Sequence, residues 1–506
     1  MTFFNKPKSG VSSWTFLFYF KFDSLLSSGA PVLLRLKSTG TVTDWTLTAD
    51  NTGFIWTGTD ASGSTVYNGT GTYGGGVSPT SWIAMQLNLI QSGGSVDVNS
   101  KWHSVGSETF FVMGAGGPDY AGTVGNVTSV TVGPNSLPPM SIGHVAVFPK
   151  EAEFGTTTFM QGSNGYVGET AGRRLLRLSA EEGIPVAVAG EPDETEPMGR
   201  QRSDTFLNLL DSCADADGGI LHETRNGLGL IYRTRASLYN QTPLALSYGT
   251  GHVFDPFEPI EDDGEIRNDV TVTREGGSSA RAALETGALS IQPAPDGVGA
   301  YTDAVTLNLA NDGQPPNHAG WRVHLGTVDE ARYPRVRVNL AGTAWSSDTQ
   351  LTRKAGALDA GDLVTIGDLP PWLPPGPVSL MVQGYTERLD AFLWDITWNA
   401  TPGTPWTVAE VDGEDRVDSD SSVLTSAVSS SATTLTVGSA LIDVWTTDPT
   451  DLPIPILVGG ERMSVTAISG TSSPQTFTVT RAINGIVKAH SSGTAVHVGR
   501  PAIVAL

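Results

Sequence analysis

Trp14-Thr15-Phe16-Leu17-Phe18-Tyr19-Phe20-Lys21-Phe22 sets an aromatic ring at every even position, with Thr15, Leu17, Tyr19 and Lys21 between them. A period of two is the mark of a β-strand with one buried face. Rings of that size along one face need a second layer to cover them. Lys6 and Lys8 stand ahead of the segment as they would in a signal peptide, but no small-residue cleavage site follows. The stretch is therefore predicted to be a strand, and export by a leader of its own is not expected. Outward from it, Val32–Leu36, Trp45–Ala49, Phe54–Trp56, Trp82–Ile90, Thr109–Met113, Val127–Val132 and Ile142–Phe148 are further short runs divided by Gly, Ser, Asn and Asp. Many short strands with no helical pattern between them predict a sandwich or barrel.

The composition extends this reading to the whole chain. Of 506 residues 39% are hydrophobic and 16% charged, and 59 glycines and 31 prolines break the sequence into short segments. That predicts a mainly β protein of several domains, since a single core seldom extends this far. The formal charge of −22 opposes binding to nucleic acid or to an acidic lipid surface. No apolar run reaches the roughly 18 residues of a membrane span. A lone cysteine, Cys213, excludes an internal disulfide framework and is predicted to be a small core residue on a helix.

The period changes between Gly168 and Ala216, the only region with a clear helical pattern. Ala171, Leu175 and Leu178 recur at helical spacing between Thr170 and Gly183; Phe206, Leu209, Leu210 and Cys213 do the same behind a cap at Ser203 or Asp204. Gly218-Gly219 then leads to a predicted hairpin, Ile220–Thr224 and Leu228–Thr234, turning at Asn226-Gly227. From Ala409 to Ser422, Glu410, Asp412, Glu414, Asp415, Asp418 and Asp420 predict an exposed linker. Beyond it Leu435–Val437, Ile454–Val458, Arg462–Ile468, Thr476–Arg481 and Thr494–Val498 predict a compact all-β domain.

Three resemblances follow. The aromatic first strand, Ser81-Trp82-Ile83-Ala84-Met85-Gln86-Leu87, the hairpin Gln91–Val98 and the closing Ile142-Gly143-His144-Val145-Ala146-Val147-Phe148, with its polar exit Pro149–Glu153, resemble a concanavalin A-like, or laminin-G-like, jelly roll. The helix, Gly-Gly and hairpin order resembles the hub proteins at the distal end of bacteriophage tails. It continues through Asn268–Arg274, Val323–Thr327, Tyr333–Val338, Ala360–Val364, Val382–Arg388, Leu393–Trp398 and Thr401-Pro402-Gly403, each apolar piece taken as a strand. Gly459–Met463, Ser473–Arg481 and Asn484–His490 resemble the C-terminal module of minor tail proteins from phages of actinobacteria. The expected organisation is a β-sandwich at 1–155, a hub-like α+β region at 156–408, an acidic linker at 409–425 and a small β domain at 426–506.

Site chemistry is sparse. Gly69-Thr70-Gly71-Thr72-Tyr73-Gly74 has dinucleotide-binding spacing, but Gly75-Gly76-Val77-Ser78-Pro79 follows instead of a helix, so a sandwich loop is predicted. Asp215-Ala216-Asp217-Gly218 offers calcium oxygens without the rest of an EF-hand loop, and solvated turns are the favoured reading. No histidine pair has metal-binding spacing, His222-Glu223 lacks a second histidine, and no Gly-x-Ser-x-Gly elbow occurs. No catalytic residue, metal or cofactor is expected, although 52 acidic residues leave a glycosidase pair neither nominated nor excluded. Trp56, Tyr67 and Trp102 are the candidates for stacking on a sugar, the other reading being that they are core or edge aromatics.

Two functions remain. The resemblance implies a non-enzymatic structural component of a phage tail tip, assembled in the host cytoplasm. It would bind other tail proteins as a homo-oligomer, a trimer by family, and would touch host cell-surface glycan. The alternative is a carbohydrate-binding, lectin-like surface or secreted protein.

Overall fold

A computed structural model describes residues 2–4, 11–27, 29–73, 78–105, 110–113, 119–135, 137–149, 156–225, 227–260, 263–373, 376–411, 413–417, 421–440 and 444–506. The protein is mainly β, 41% strand and 14% helix, in two compact units. The first comprises residues 1–167 with Arg200–Arg202, and the second residues 168–199 with 203–506. Lys6, Lys8, Gly74–Val77, Thr109, Lys150–Glu153, Asn226, Asp412, Asp418 and Asp420 lie outside the described residues. No helix among the described residues is long and apolar enough to cross a membrane.

The first unit is a two-sheet sandwich. Its strands are β1 (Thr2–Phe4), β2 (Ser13–Phe22), β3 (Val32–Ser38), β4 (Asp44–Ala49), β5 (Gly53–Thr59), β6 (Thr65–Thr72), β7 (Ile83–Ser92), β8 (Ser95–Ser104), β9 (Phe110–Met113), β10 (Tyr120–Ala121), β11 (Val127–Val132) and β12 (Met140–Phe148). One sheet runs β1-β11-β3-β4-β5-β6; the other runs β10-β8-β7-β2-β12, with β9 on β8. The even rings of β2 fill the space between them, edge-on to the facing sheet: Trp14 meets Trp45 at 6.1 Å and Phe16 meets Trp56 at 6.1 Å. Each such ring removes roughly 150–250 Å² from water, about 4–6 kcal/mol before ordering entropy is subtracted. The predicted loop at Gly69–Thr72 is instead the end of β6. It remains a strand because rings lie across it: a Cβ on Gly71 would fall 2.3 Å from the Phe54 ring. Helix α1 (Thr156–Ser163) closes the unit, with Phe159 edge-on to His103 at 5.5 Å.

The second unit opens with α2 (Ala171–Glu182), whose apolar stripe ends at Gly183 in the left-handed conformation, φ +68°. β13 (Val186–Ala189), α3 (Phe206–Asp217), β14 (Ile220–Glu223) and β15 (Leu230–Arg233) follow, in the sheet order β13-β15-β14. The cap of α3 is Thr205, one residue beyond the predicted pair, and its side chain accepts from the Asn208 N–H. Next come β16 (Leu244–Ser247), β17 (Asp269–Arg274), β18 (Ser279–Ala283), β19 (Thr302–Leu307) and α4 (Pro315–Gly326). The sheet β18-β17-β19 and α4 share one core with α2, α3 and β15, centred on Leu175, Leu210, Tyr232, Val270 and Ala319. Val323-His324-Leu325-Gly326, predicted as a strand, is the last turn of α4.

A further core surrounds the sheet β16-β21-β22-β23-β20, made with β20 (Arg335–Asn339), α5 (Thr343–Ser346), α6 (Thr349–Ala357), β21 (Leu363–Gly367), β22 (Val378–Asp390) and β23 (Leu393–Pro402). The remaining strands are β24 (Ser422–Leu424), β25 (Thr434–Ser439), β26 (Ile454–Val458), β27 (Glu461–Ser469), β28 (Gln475–Thr480) and β29 (Val496–Val498). They form one six-stranded sheet around an aliphatic core.

The acidic segment between these last two cores is exposed at Glu410, Val411 and Glu414 but is not a free linker. The returning chain runs beside it: Ala409 N–H donates to Ile503 O (2.8 Å), Arg416 N–H to Arg500 O (3.1 Å) and Ala502 N–H to Arg416 O (2.8 Å). Arg500 also pairs with Glu414 and Asp415. The repulsion expected from the carboxylates is thus offset by arginine. Ser422–Leu424 at its end is already strand β24.

Candidate functional site

The three sugar-stacking candidates are core residues. Trp56 on β5 is 0% exposed, Tyr67 on β6 2% and Trp102 on β8 4%. Trp102 lies edge-on to Phe54 at 4.7 Å and Tyr67 packs on Trp45 at 5.5 Å. Their ring faces are occupied by neighbours, so none is open to a ligand. Strand parity carried the signal: Trp56 shares a face with Phe54, and Trp102 with Val96 and Val98, all in the one core. The same parity turns Trp82 outward, because Ile83, Met85 and Leu87 point inward, and Trp82 is 36% exposed.

In the second unit the acidic Asp215–Gly218 stretch is the C-terminal end of α3 and not a solvated turn. Asp217 is 1% exposed and its carboxylate is fully engaged. Oδ1 accepts from the Glu196 N–H at 3.0 Å, and Oδ2 accepts from the Arg235 N–H at 3.0 Å and from the Tyr232 hydroxyl. Burial, with Asp217 beside it, pushes the Tyr232 phenol up. Glu196 lies in the same cluster. Burial alone would raise its carboxyl, but His318 Nε2 at 3.6 Å, the Gln314 amide and Arg235 at 3.6 Å bring it below the usual range. The cluster ties α3, β15, α4 and the segment around Glu196 together. Cys213 on α3 is fully buried, and burial pushes its thiol up to about 12, so it remains a thiol at neutral pH.

Glu461, His490 and Arg481 in the last domain form a comparable group. Glu461 is 0% exposed. It accepts from Arg481 Nε at 2.8 Å, contacts His490 Nε2 at 2.8 Å and accepts the Lys488 N–H at 3.3 Å. Burial works against the charge, but the Arg481 and His490 hydrogen bonds outweigh it and hold the carboxyl at about 2. Among the described residues no group of three or more His, Cys, Asp or Glu could hold a metal ion.

Among the exposed residues of the second unit are several large apolar side chains. Leu228 between β14 and β15 is 97% exposed, Trp372 between β21 and β22 is 76%, and Leu389 and Phe392 at the β22–β23 turn are 68% and 95%. This last hairpin leaves the sheet only at its turn, since β20 accompanies β23 from Asn399 to Asp395 and Leu340 N–H donates to Trp394 O (2.8 Å). β21 pairs with β22 only from Val378 to Met381, whereas β23 accompanies it to Asp390. The hairpin is braced close to its turn by Glu387, which accepts from Trp394 Nε1 at 2.6 Å and from Arg225 at 3.2 Å. Arg225 in turn lies 4.3 Å over the Tyr385 ring. The sequence shows the strands but not the exposure: Leu389 and Phe392 fall between its segments Val382–Arg388 and Leu393–Trp398.

No protein-family model and no curated protein matches the chain. Among solved structures it is similar to the 43 kDa tail protein of prophage MuSo2 from Shewanella oneidensis: 12% identity, 78% of this chain and 100% of that chain covered, TM-score 0.33. It is similar also to the tail protein from Neisseria meningitidis, at 11% identity, 78% and 93% coverage and TM-score 0.34. A third is the prophage tail protein gp18 from Listeria monocytogenes, at 10% identity, 76% and 94% coverage and TM-score 0.28.

Proposed function

We propose that this chain is a structural, non-enzymatic component of a bacteriophage tail, placed at the tail tip and assembled in the host cytoplasm. There it joins other tail proteins as a homo-oligomer, a trimer by family resemblance, and takes part in host attachment. The observation that carries the reading is the braced β22–β23 turn with Leu389 and Phe392 in solvent. Large apolar side chains at the end of a rigid hairpin are disfavoured in a chain that stays alone, and are accounted for by burial against another subunit. The carboxylates of Asp217 and Glu461 are taken up by partners inside the chain, which suits a scaffold. The order of motifs over residues 160–408 supports the tail assignment.

The test is light scattering of the native chain at several concentrations, beside recovery from intact particles. The expected result is a stable oligomer that is recovered with tail proteins, and its loss in Leu389→Ser/Phe392→Ser with unfolding unchanged within about 0.5 kcal/mol. A persistent monomer absent from particles but retained on cell-wall glycan would overturn the tail reading and leave the lectin-like surface protein in its place.

A further inference from the structure

The outer face of the β2–β7–β12 sheet carries an aromatic and cationic cluster that the core does not need. Trp82 stands immediately before β7, and its indole faces out. The Lys21 ammonium of β2 lies 5.8 Å from the centre of that indole, whereas the Arg35 and Lys37 charges on the other sheet are engaged by Asp44. On the next strand Gly143 pairs with Tyr19, and a Cβ there would already be 4.0 Å from the edge of the Trp82 ring and from Tyr19. Absence of a side chain at Gly143 keeps the ground between the two rings open. The β12 register shifts between Gly143 and Ala146, and this irregularity holds His144 at φ +48°, exposed, with its ring 4.8 Å from Tyr19. A histidine in that left-handed conformation is strained. Tyr19 is fixed from the far side by its hydroxyl, 3.0 Å from Ser163 Oγ on α1.

We propose that Trp82, Lys21, Tyr19 and His144 form a binding platform for a neutral, hydroxyl-rich pyranose chain. The indole takes the C–H face of one sugar ring by apolar and C–H/π contact. The ammonium of Lys21 and the imidazole of His144 supply polar groups for the hydroxyls at its rim. The ligand is neutral because Lys21 is, among the described residues, the one cation set over the indole, and a single half-exposed lysine holds an acidic polysaccharide only weakly. This deepens the host-attachment part of the function proposed above and rests on it for its biological setting, while its chemistry stands on the platform alone.

The experiment is calorimetric titration of the full chain with a panel of neutral gluco-, galacto-, manno- and xylo-oligosaccharides and one uronic-acid oligosaccharide of equal length. Trp82→Ala, Trp82→Phe and Lys21→Met are titrated in parallel. At least one neutral oligosaccharide is expected to bind. Trp82→Ala should weaken it tenfold or more, about 1.4 kcal/mol, and Trp82→Phe, which keeps a ring, should lose less. Thermal unfolding checks that the variants are folded. Failure of every neutral sugar to bind, equal affinity of Trp82→Ala and the unsubstituted chain, or preference for the uronic acid would overturn the inference. Recovery of the Trp82→Ala chain from particles reports on the tail role separately, so that either idea can fall while the other stands.

Discussion

The sandwich at one end of the chain and the six-stranded sheet at the other bury their interiors in opposite ways. Between its two sheets the sandwich packs Trp14, Trp45, Trp56, Trp102, Tyr67 and the phenylalanines of β2. The indole N–H groups of Trp14, Trp45 and Trp56 find no hydrogen-bond partner. Each such orphan costs about 1–3 kcal/mol, which the area of the ring exceeds. The C-terminal core is Leu, Val, Ile and Met, with Phe477 as its one fully buried ring among the described residues, and it contains a buried carboxylate whose partners are all in place. A thick core tolerates unmet polar atoms because each ring brings a large area. A thin core has less apolar area per residue, so a polar group inside it must be satisfied.

Three substitutions test this contrast. Trp45→Ala in the sandwich should be the most damaging, toward the upper end of about 3–5 kcal/mol, because a cavity of that size lies between rings that cannot close in. Denaturant unfolding followed by tryptophan fluorescence measures it, and a loss below about 2 kcal/mol would mean the aromatic core is redundant. Glu461→Gln should follow at about 3 kcal/mol, since it leaves Arg481 charged and buried without its counter-ion. Hydrogen exchange over residues 422–498 reads it. The same group gives a pH signature. The Glu461 carboxyl is depressed from its ordinary 4.5 to about 2, so its contribution is complete above about pH 4.5 and disappears as the pH falls through 2. In the sandwich Asp44 is also held below the usual range, its bonds from Arg35 and Lys37 outweighing burial. Those partners are half exposed, which screens the effect, and acid should therefore loosen the C-terminal sheet first. Ile456→Val, the mildest change, should cost about 0.5–1.5 kcal/mol, and a larger loss would show that the aliphatic core is as unforgiving as the aromatic one.

Legibility differed by element for physical reasons. The strands of both end regions stand out in the sequence because alternation survives wherever one face is buried. Helix α2 stands out because Ala171, Leu175 and Leu178 make a stripe between a clear start and Gly183. Helix α4 does not: its buried face is Pro315, His318, Ala319, Trp321, Val323 and Gly326, a mixture in which polar and small residues hide the period. Helix α6 buries only Ala355 and has no stripe to detect. Ring chemistry alone points to Trp56, Tyr67 and Trp102 as sugar-stacking groups, whereas strand parity sends all three inward and Trp82 outward. Exposure at a hairpin turn, as at Phe392, depends on which strands lie alongside, and no local pattern encodes that.

The paired strands of backbone at residues 409–416 and 500–503 bear on mechanics. A module hung on one peptide segment swivels about its single bonds and passes on almost no torque. Two hydrogen-bonded segments crossing the same gap, braced by Arg500 against Glu414 and Asp415, resist twist as a ribbon does. A push or rotation applied to the C-terminal sheet is then delivered to the α+β region instead of being dissipated in a hinge.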